Sequence, residues 1–167
     1  MFSPAVLAAA ADLSERCAKS GLQLILAESC TGGLIGGVLT ALPGASRVVD
    51  RGYIVYSYES KFAELNVPGA LVEQFGSVSE PVAVAMAKGS LLRAGTSRRL
   101  SIAATGVAGP TGTPQKPAGL VHVAVAGSER DLVLHEQHNF PNIGRDFVRM
   151  ETVLAALKLA SRYLTTE

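Results

Sequence analysis

Leu22-Gln23-Leu24-Ile25-Leu26-Ala27-Glu28-Ser29-Cys30-Thr31-Gly32-Gly33-Leu34-Ile35-Gly36-Gly37-Val38-Leu39 is where the chain changes its period. The apolar run Leu22, Leu24, Ile25 and Leu26 predicts a short buried strand, and Leu34, Ile35, Val38 and Leu39 then recur at helical spacing. Ser29 therefore falls on a strand-to-helix turn, beside a thiol and two glycines. Such a turn lifts a nucleophile off a sheet edge, and the N–H groups of Thr31, Gly32 and Gly33, unpaired at a helix start, are expected to face whatever it attacks or binds. The stretch is a candidate active site. It is not the G-x-S-x-G elbow of the α/β-hydrolases, and a glycine pair opening a helix also reads as a plain tight turn.

Working outward, the remaining elements alternate. An opening helix runs to about residue 20, and the helix from Thr31 to Thr40 is ended by Pro43-Gly44. Val48, Val49, Tyr53, Ile54, Val55 and Tyr56 predict a second strand, and Ser60 to Leu65 a short helix with Lys61 at its start. Ser79-Glu80-Pro81 caps a helix from Val82 to Arg93, because serine offers a capping oxygen and proline is tolerated in the first turn. Leu100 to Thr105 returns as a strand. Gly106 to Gly119 is rich in glycine and proline and reads as a loop, followed by a hairpin of Leu120 to Ala126 and Leu132 to Gln137 through Gly127-Ser128. Ile143 to Leu164 is an amphipathic closing helix with Asn142 as its expected cap. Strands alternating with helices, plus a hairpin, imply a three-layer α/β/α sandwich with a mixed β-sheet. Ligands of such sheets gather at the carboxyl ends of strands, where Ser29, Tyr56 and Thr105 all fall.

Composition narrows the function classes. The 167 residues, 48% hydrophobic and 17% charged, suit one globular domain with a sizeable core. A formal net charge of +1, with no basic cluster longer than Arg98-Arg99, argues against a nucleic-acid partner. Cys17 and Cys30 are too few for a disulfide framework and suit a reducing, cytoplasmic setting. The apolar Pro4 to Ala11 run lacks a basic flank and reads as a helix, not a signal peptide, and no stretch approaches the ~18 apolar residues of a membrane span.

With those positions in view, five segments in register carry a resemblance. Ala27 to Gly33, Tyr56-Ser57 with Lys61, Val78-Ser79-Glu80, Thr105-Gly106-Val107-Ala108-Gly109-Pro110, and Lys116-Pro117 resemble the successive motifs of the CinA C-terminal family, the nicotinamide mononucleotide deamidases also called PncC. The resemblance runs from about residue 5 to residue 164 and suggests the stand-alone form, without the additional N-terminal domain of larger members. It implies hydrolysis of the carboxamide of nicotinamide mononucleotide to nicotinic acid mononucleotide and ammonia, with no cofactor and no metal. Residue by residue, it makes Ser29 the nucleophile, Lys61 the base and Tyr56 a tyrosine near them. It also implies a cytoplasmic homo-oligomer, commonly a dimer, whose partner is the small-molecule substrate alone.

The chemistry sets its own conditions on those roles. A serine hydroxyl needs a neighbouring base, and an ammonium serves only if its site depresses its pKa, so Lys61 must be partly buried and Glu28 must not point at it. Taken alone, Lys61 reads first as a solvated helix residue. Tyr56 could relay the proton or orient the amine. Backbone N–H groups from Cys30 to Gly33 would stabilise the oxyanion, which with Glu28 places Glu28, Cys30, Thr31, Gly32 and Gly33 in the substrate-binding set. Thr105, Gly106 and Gly109 sit in a small-residue loop that lets backbone donors and the hydroxyls of Thr105 and Thr111 approach a phosphate. Arg145 would clamp that phosphate or stay solvated, and Lys116 is open between a phosphate contact and a loop tip.

Two competing chemistries remain. Cys30 is the more nucleophilic neighbour of Ser29, although no histidine is placed to assist it. A metal site would draw on His122, His135 and His138, but the last two are three apart on a predicted strand and face opposite ways. A nucleotide-binding regulatory module without turnover is the non-enzymatic alternative.

Overall fold

The computed structural model describes residues 2–95 and 98–166. Helix α1 (Pro4–Ser20) begins where the Ser3 hydroxyl accepts the Val6 N–H, with proline in the first turn, and it stops at Gly21 in the left-handed region at φ 65°. Strand β1 (Gln23–Glu28) follows, then α2 (Leu34–Thr40), a single 3-10 turn at Ala45–Arg47, β2 (Val49–Ile54), and three helices: α3 (Tyr58–Leu65), α4 (Gly69–Phe75) and α5 (Glu80–Ala94). Strands β3 (Arg99–Gly106), β4 (Leu120–Gly127) and β5 (Val133–Asn139) and helix α6 (Arg145–Tyr163) complete the chain.

The sheet runs in the order β2-β1-β3-β4-β5. β1 is parallel to both its neighbours, whereas β3–β4 and β4–β5 are antiparallel, so the sheet is mixed as expected. Residue alternation along the strands builds two cores. Leu24, Leu26, Leu100, Ile102 and Val123 face α1, α2 and α6, and Ala27, Ala103, Ala124 and Ala126 face α3, α4 and α5. The second face is an alanine floor. Its short side chains let α5 lie close to the sheet, and Gly89 on α5 in turn lets α3 come in, since a Cβ there would sit 1.9 Å from the Leu65 carbonyl oxygen. That approach positions the helix carrying Lys61.

Several expectations need correction. The helix after Ser29 begins at Leu34, not Thr31, because residues 30–33 are spent on the turn. Helix α4 was not foreseen, since its seven residues follow Pro68 and lack an apolar face long enough to show a period, and none of them is buried. Ser79 stands at the N-cap of α5 but its hydroxyl donates to the Gly76 carbonyl instead of capping. Asn142 does not cap α6: Gly144 occupies the cap, and the Asn142 amide donates to the Pro110 carbonyl, pinning the 106–119 loop. The hairpin turns through residues 128–132, a wider connection than Gly127-Ser128.

Gly89 gives this packing a test. In an unobstructed helix, Gly→Ala would stabilise by ~1 kcal/mol. Here Gly89→Ala should lower the thermal midpoint by several degrees, at about 2–4 °C per kcal/mol for a chain of this size. A midpoint unchanged or raised would show that α3 does not bear on α5 as described.

Candidate active site

The carboxyl ends of β1 and β3 are joined by the backbone of Ser29, whose N–H donates to the Ala104 carbonyl at 3.0 Å. On the other flank, the Val55 N–H donates to the Glu28 carbonyl at 2.8 Å, so the segment after β2 is tied to the same point. Continuing the alternation of β1, Ser29 follows Ala27 onto the α3–α5 face, while Cys30 packs into the opposite core. The two neighbours thus occupy different sides of the sheet.

Lys61 reaches Ser29 from α3. The helix is set by Ser57, whose hydroxyl accepts the Ser60 N–H at 3.1 Å, and ended by Asn66 in the left-handed region at φ 53°. Lys61 is only 1% exposed. Its Nζ lies 3.1 Å from Ser29 Oγ, 2.8 Å from the Val55 carbonyl and 3.1 Å from the Tyr56 carbonyl. Two carbonyls accept the two N–H bonds of a neutral amine, which leaves its lone pair for the serine hydroxyl. Burial pulls the Lys61 ammonium from 10.5 down to about 8. A hydroxyl facing an amine of lowered basicity is the arrangement that produces a serine nucleophile near neutral pH.

Glu28 does not line the site. Its carboxylate is buried and accepts the N–H groups of Gly33 at 2.9 Å, Ile35 at 3.2 Å and Gly36 at 2.9 Å, so it holds the start of α2 where a substrate anion was expected. This also keeps its charge off Lys61. Gly32 and Gly33 are corrected with it, because the Gly32 N–H donates to the Ser29 carbonyl at 3.0 Å and that of Gly33 to Glu28. Among the described residues, the Cys30 and Thr31 N–H groups of this turn are left without an acceptor. Cys30 itself is 3% exposed, and burial pushes its thiol up to about 12, which removes the thiolate a cysteine nucleophile requires.

The other candidates form a frame around this pair. Tyr56 approaches Lys61 with its carbonyl, not its ring: its exposed hydroxyl meets Arg145 Nη2 at 2.8 Å. Arg145 Nη1 donates to the Gly109 carbonyl at 2.8 Å, so the guanidinium bridges the 106–119 loop and the segment after β2 while remaining exposed. Thr105 is buried, and its hydroxyl proton is committed to the Ser77 carbonyl at 2.9 Å, so it anchors the approach to α5 and has no proton left to donate to a ligand. Gly106 must be small, since a Cβ there would lie 2.7 Å from Val121 and 3.2 Å from Cys30 Sγ. Gly109 sits at φ 89°. Lys116 reaches inward and donates to the Val78 carbonyl at 2.6 Å, holding the loop to the segment before α5.

His122 and His135 lie 3.0 Å apart across β4 and β5, and burial draws His122 down to about 4. His138 faces elsewhere, paired with Glu136, and no three-residue metal-binding group occurs among the described residues. Arg149 was missed. It donates to the carbonyls of Cys30 at 3.2 Å and Thr31 at 3.0 Å, and its spacing of four from Arg145, which puts both on one side of α6, was the available signal. A groove of about 510 Å³ between the end of α5 and the β4–β5 turn, lined by Leu91, Leu92 and Leu132, opens at the other end of the sheet, away from Ser29. Among the described residues, no helix is long and apolar enough to cross a membrane.

Comparison with known proteins bears on the family and the fold. The model of the CinA C-terminal domain matches residues 7–164. A CinA-like protein of Parasynechococcus marenigrum is 45% identical over 150 residues, covering 89% of this chain and 35% of its own. A putative competence-damage inducible protein of Desulforamulus reducens is 43% identical over 145 residues, covering 87% of this chain and 34% of its own. The chain thus spans about a third of the length of the curated relatives it matches. Among solved structures, the competence/damage inducible protein CihA from Agrobacterium tumefaciens superposes with a TM-score of 0.92 at 38% identity, covering 99% of both chains.

The assignment of Glu28 to the fold is testable apart from any activity. Glu28→Ala leaves three buried or half-buried N–H groups unmatched and should cost about 2–4 kcal/mol, read in urea or thermal unfolding. Full stability in the variant would return the carboxylate to the candidate ligand set.

Proposed function

The chain belongs to the CinA C-terminal domain family, and within it we propose a nicotinamide-nucleotide amidohydrolase that converts nicotinamide mononucleotide to nicotinic acid mononucleotide and ammonia. The observation that carries the reading is the buried Lys61 amine, 3.1 Å from Ser29 Oγ and, among the described residues, without a carboxylate partner. The nucleotide substrate comes from the family resemblance, and the exposed Arg145, bonded to the Tyr56 hydroxyl, supports it as a phosphate partner.

In this mechanism neutral Lys61 takes the Ser29 proton as Oγ adds to the carboxamide carbon, opening the carbonyl to an oxyanion. The Cys30 and Thr31 N–H groups, given to no other acceptor among the described residues, are the amides that would bind that oxygen. Collapse breaks the C–N bond, and the Lys61 ammonium gives its proton to the departing nitrogen as ammonia leaves. Water then adds to the ester, its proton passing to Lys61 and on to Ser29 Oγ, and the carboxylic acid departs. Tyr56 contributes its carbonyl, which with that of Val55 fixes the two N–H bonds of the amine. Atoms and charge balance without metal or redox cofactor. The reading places the enzyme in the cytoplasm as a homo-oligomer, and exposed apolar side chains such as Ile54, Tyr58 and Phe62 offer a second copy surface to bury.

Purified protein incubated with nicotinamide mononucleotide and a chelator should release ammonia and the acid in equal amounts. Ser29→Ala should reduce kcat by about 10³-fold or more, whereas Cys30→Ala should keep most of it. Binding without turnover in the unaltered protein would favour a regulatory nucleotide-binding module. Because the base is the amine and its folded pKa is lowered, kcat/KM should climb with pH, levelling above about 8. A profile that falls as pH rises from 6 to 8 would exclude Lys61 as the base.

A further inference from the structure

Arg149 on α6 has no part in the chemistry above, yet it grips the turn that carries Ser29. Its Nε donates to the Cys30 carbonyl at 3.2 Å and its Nη2 to the Thr31 carbonyl at 3.0 Å, while Nη1 lies 3.7 Å from the exposed Asp146 carboxylate. A planar fork on two successive carbonyls fixes their direction as a single donor does not. Gly32 leaves room for it, since a Cβ there would lie 3.2 Å from Nη2.

The carbonyl and N–H of one trans peptide point opposite ways. The peptide whose oxygen Arg149 Nε holds is Cys30–Thr31, and its N–H is the Thr31 donor left without an acceptor among the described residues. Residues 29–32 form a turn closed by the Gly32 N–H on the Ser29 carbonyl. Arg149 reaches the turn from α6, on the face of the sheet opposite the one where Ser29 Oγ meets Lys61, so the N–H opposed to the carbonyl it holds is directed to the side where Ser29 Oγ reacts. A cation on the carbonyl oxygen draws density through the amide and strengthens that N–H as a donor.

We infer that Arg149 is a positioning residue: it aims and polarises the Cys30–Thr31 peptide so that the Thr31 N–H stabilises the oxyanion formed at Ser29. The inference rests on the amidohydrolase reading. It assigns Arg149 a task distinct from that of Arg145 one turn earlier, which faces the loop and Tyr56. The gain is confined to the charged intermediate, so the effect belongs in kcat and not in substrate binding.

Steady-state hydrolysis of nicotinamide mononucleotide by Arg149→Met and Arg149→Lys, with thermal midpoints measured alongside, tests this. Arg149→Met should lose about 30-fold in kcat with KM within about twofold, a fraction of the loss on removing an oxyanion donor outright. Guanidinium chloride at a low, non-denaturing concentration should restore part of that loss. Arg149→Lys keeps the charge and the fold but reaches one carbonyl, and should fall between. If Arg149→Met does not fold, the lysine variant decides: a kcat loss of several fold at an unchanged midpoint supports the inference, and wild-type kcat overturns it. A methionine variant with wild-type kcat, or one whose loss tracks its midpoint and ignores guanidinium, reduces Arg149 to a brace and overturns it. An unaltered protein that releases no ammonia would remove the amidohydrolase reading and the inference together.

Discussion

A lysine amine held out of water beside a serine hydroxyl is the constraint around which this molecule is arranged. Burying such a group is unfavourable unless its basicity falls or it finds acceptors, and here both happen: burial lowers it to about 8, and the Val55 and Tyr56 carbonyls take its N–H bonds. The backbone supports this geometry at each step. Gly89 lets α3 approach α5, and the Val55 N–H on the Glu28 carbonyl brings the end of β2 against the Ser29 turn. The nearest chain neighbour able to undo it, Glu28, has its charge absorbed by three amides of α2.

The sheet sorts reactive groups by parity. Ser29 and Cys30 are adjacent in the chain, but alternation sends one to the alanine-floored face, where α3 supplies the amine, and the other into the larger core, where its thiol is pushed up to about 12. Helix α6 divides its work in a similar way. Arg145 at its first turn is exposed and links the 106–119 loop to Tyr56, whereas Arg149 one turn later faces inward onto the Ser29 turn. The loop is secured independently by Lys116 on the Val78 carbonyl and Asn142 on that of Pro110, so its small residues keep their shape without help from a ligand.

Much of the fold was legible because its signals are local. The switch from strand to helix across residues 22–39, the Pro-containing start of α5 and the periodic closing helix each declare themselves within one window, and the hairpin made the sheet mixed. Helix α4 was not legible, being short and without buried residues. In the site, the pairing of Ser29 with Lys61 followed from family motifs and chemical need, because residues 32 positions apart have no local pattern to join them. The errors share one cause. Motif and position on the turn point Glu28, Gly32, Gly33 and Thr105 at a ligand, whereas a folded chain satisfies its own backbone groups first, with Glu28 and Thr105 as the partners nearest to hand. Tyr56 was read by its side chain, and it is its carbonyl that meets the amine.

The account stands on the protonation of one nitrogen. Heteronuclear NMR of the protein with labelled lysine side chains, followed through a pH titration and assigned by the loss of one signal in Lys61→Arg, reads that proton directly. A lysine titrating near 8, well below its ordinary 10.5, is the predicted result. A Lys61 signal that holds its proton to pH 10 would leave Ser29 without a base and contradict the account.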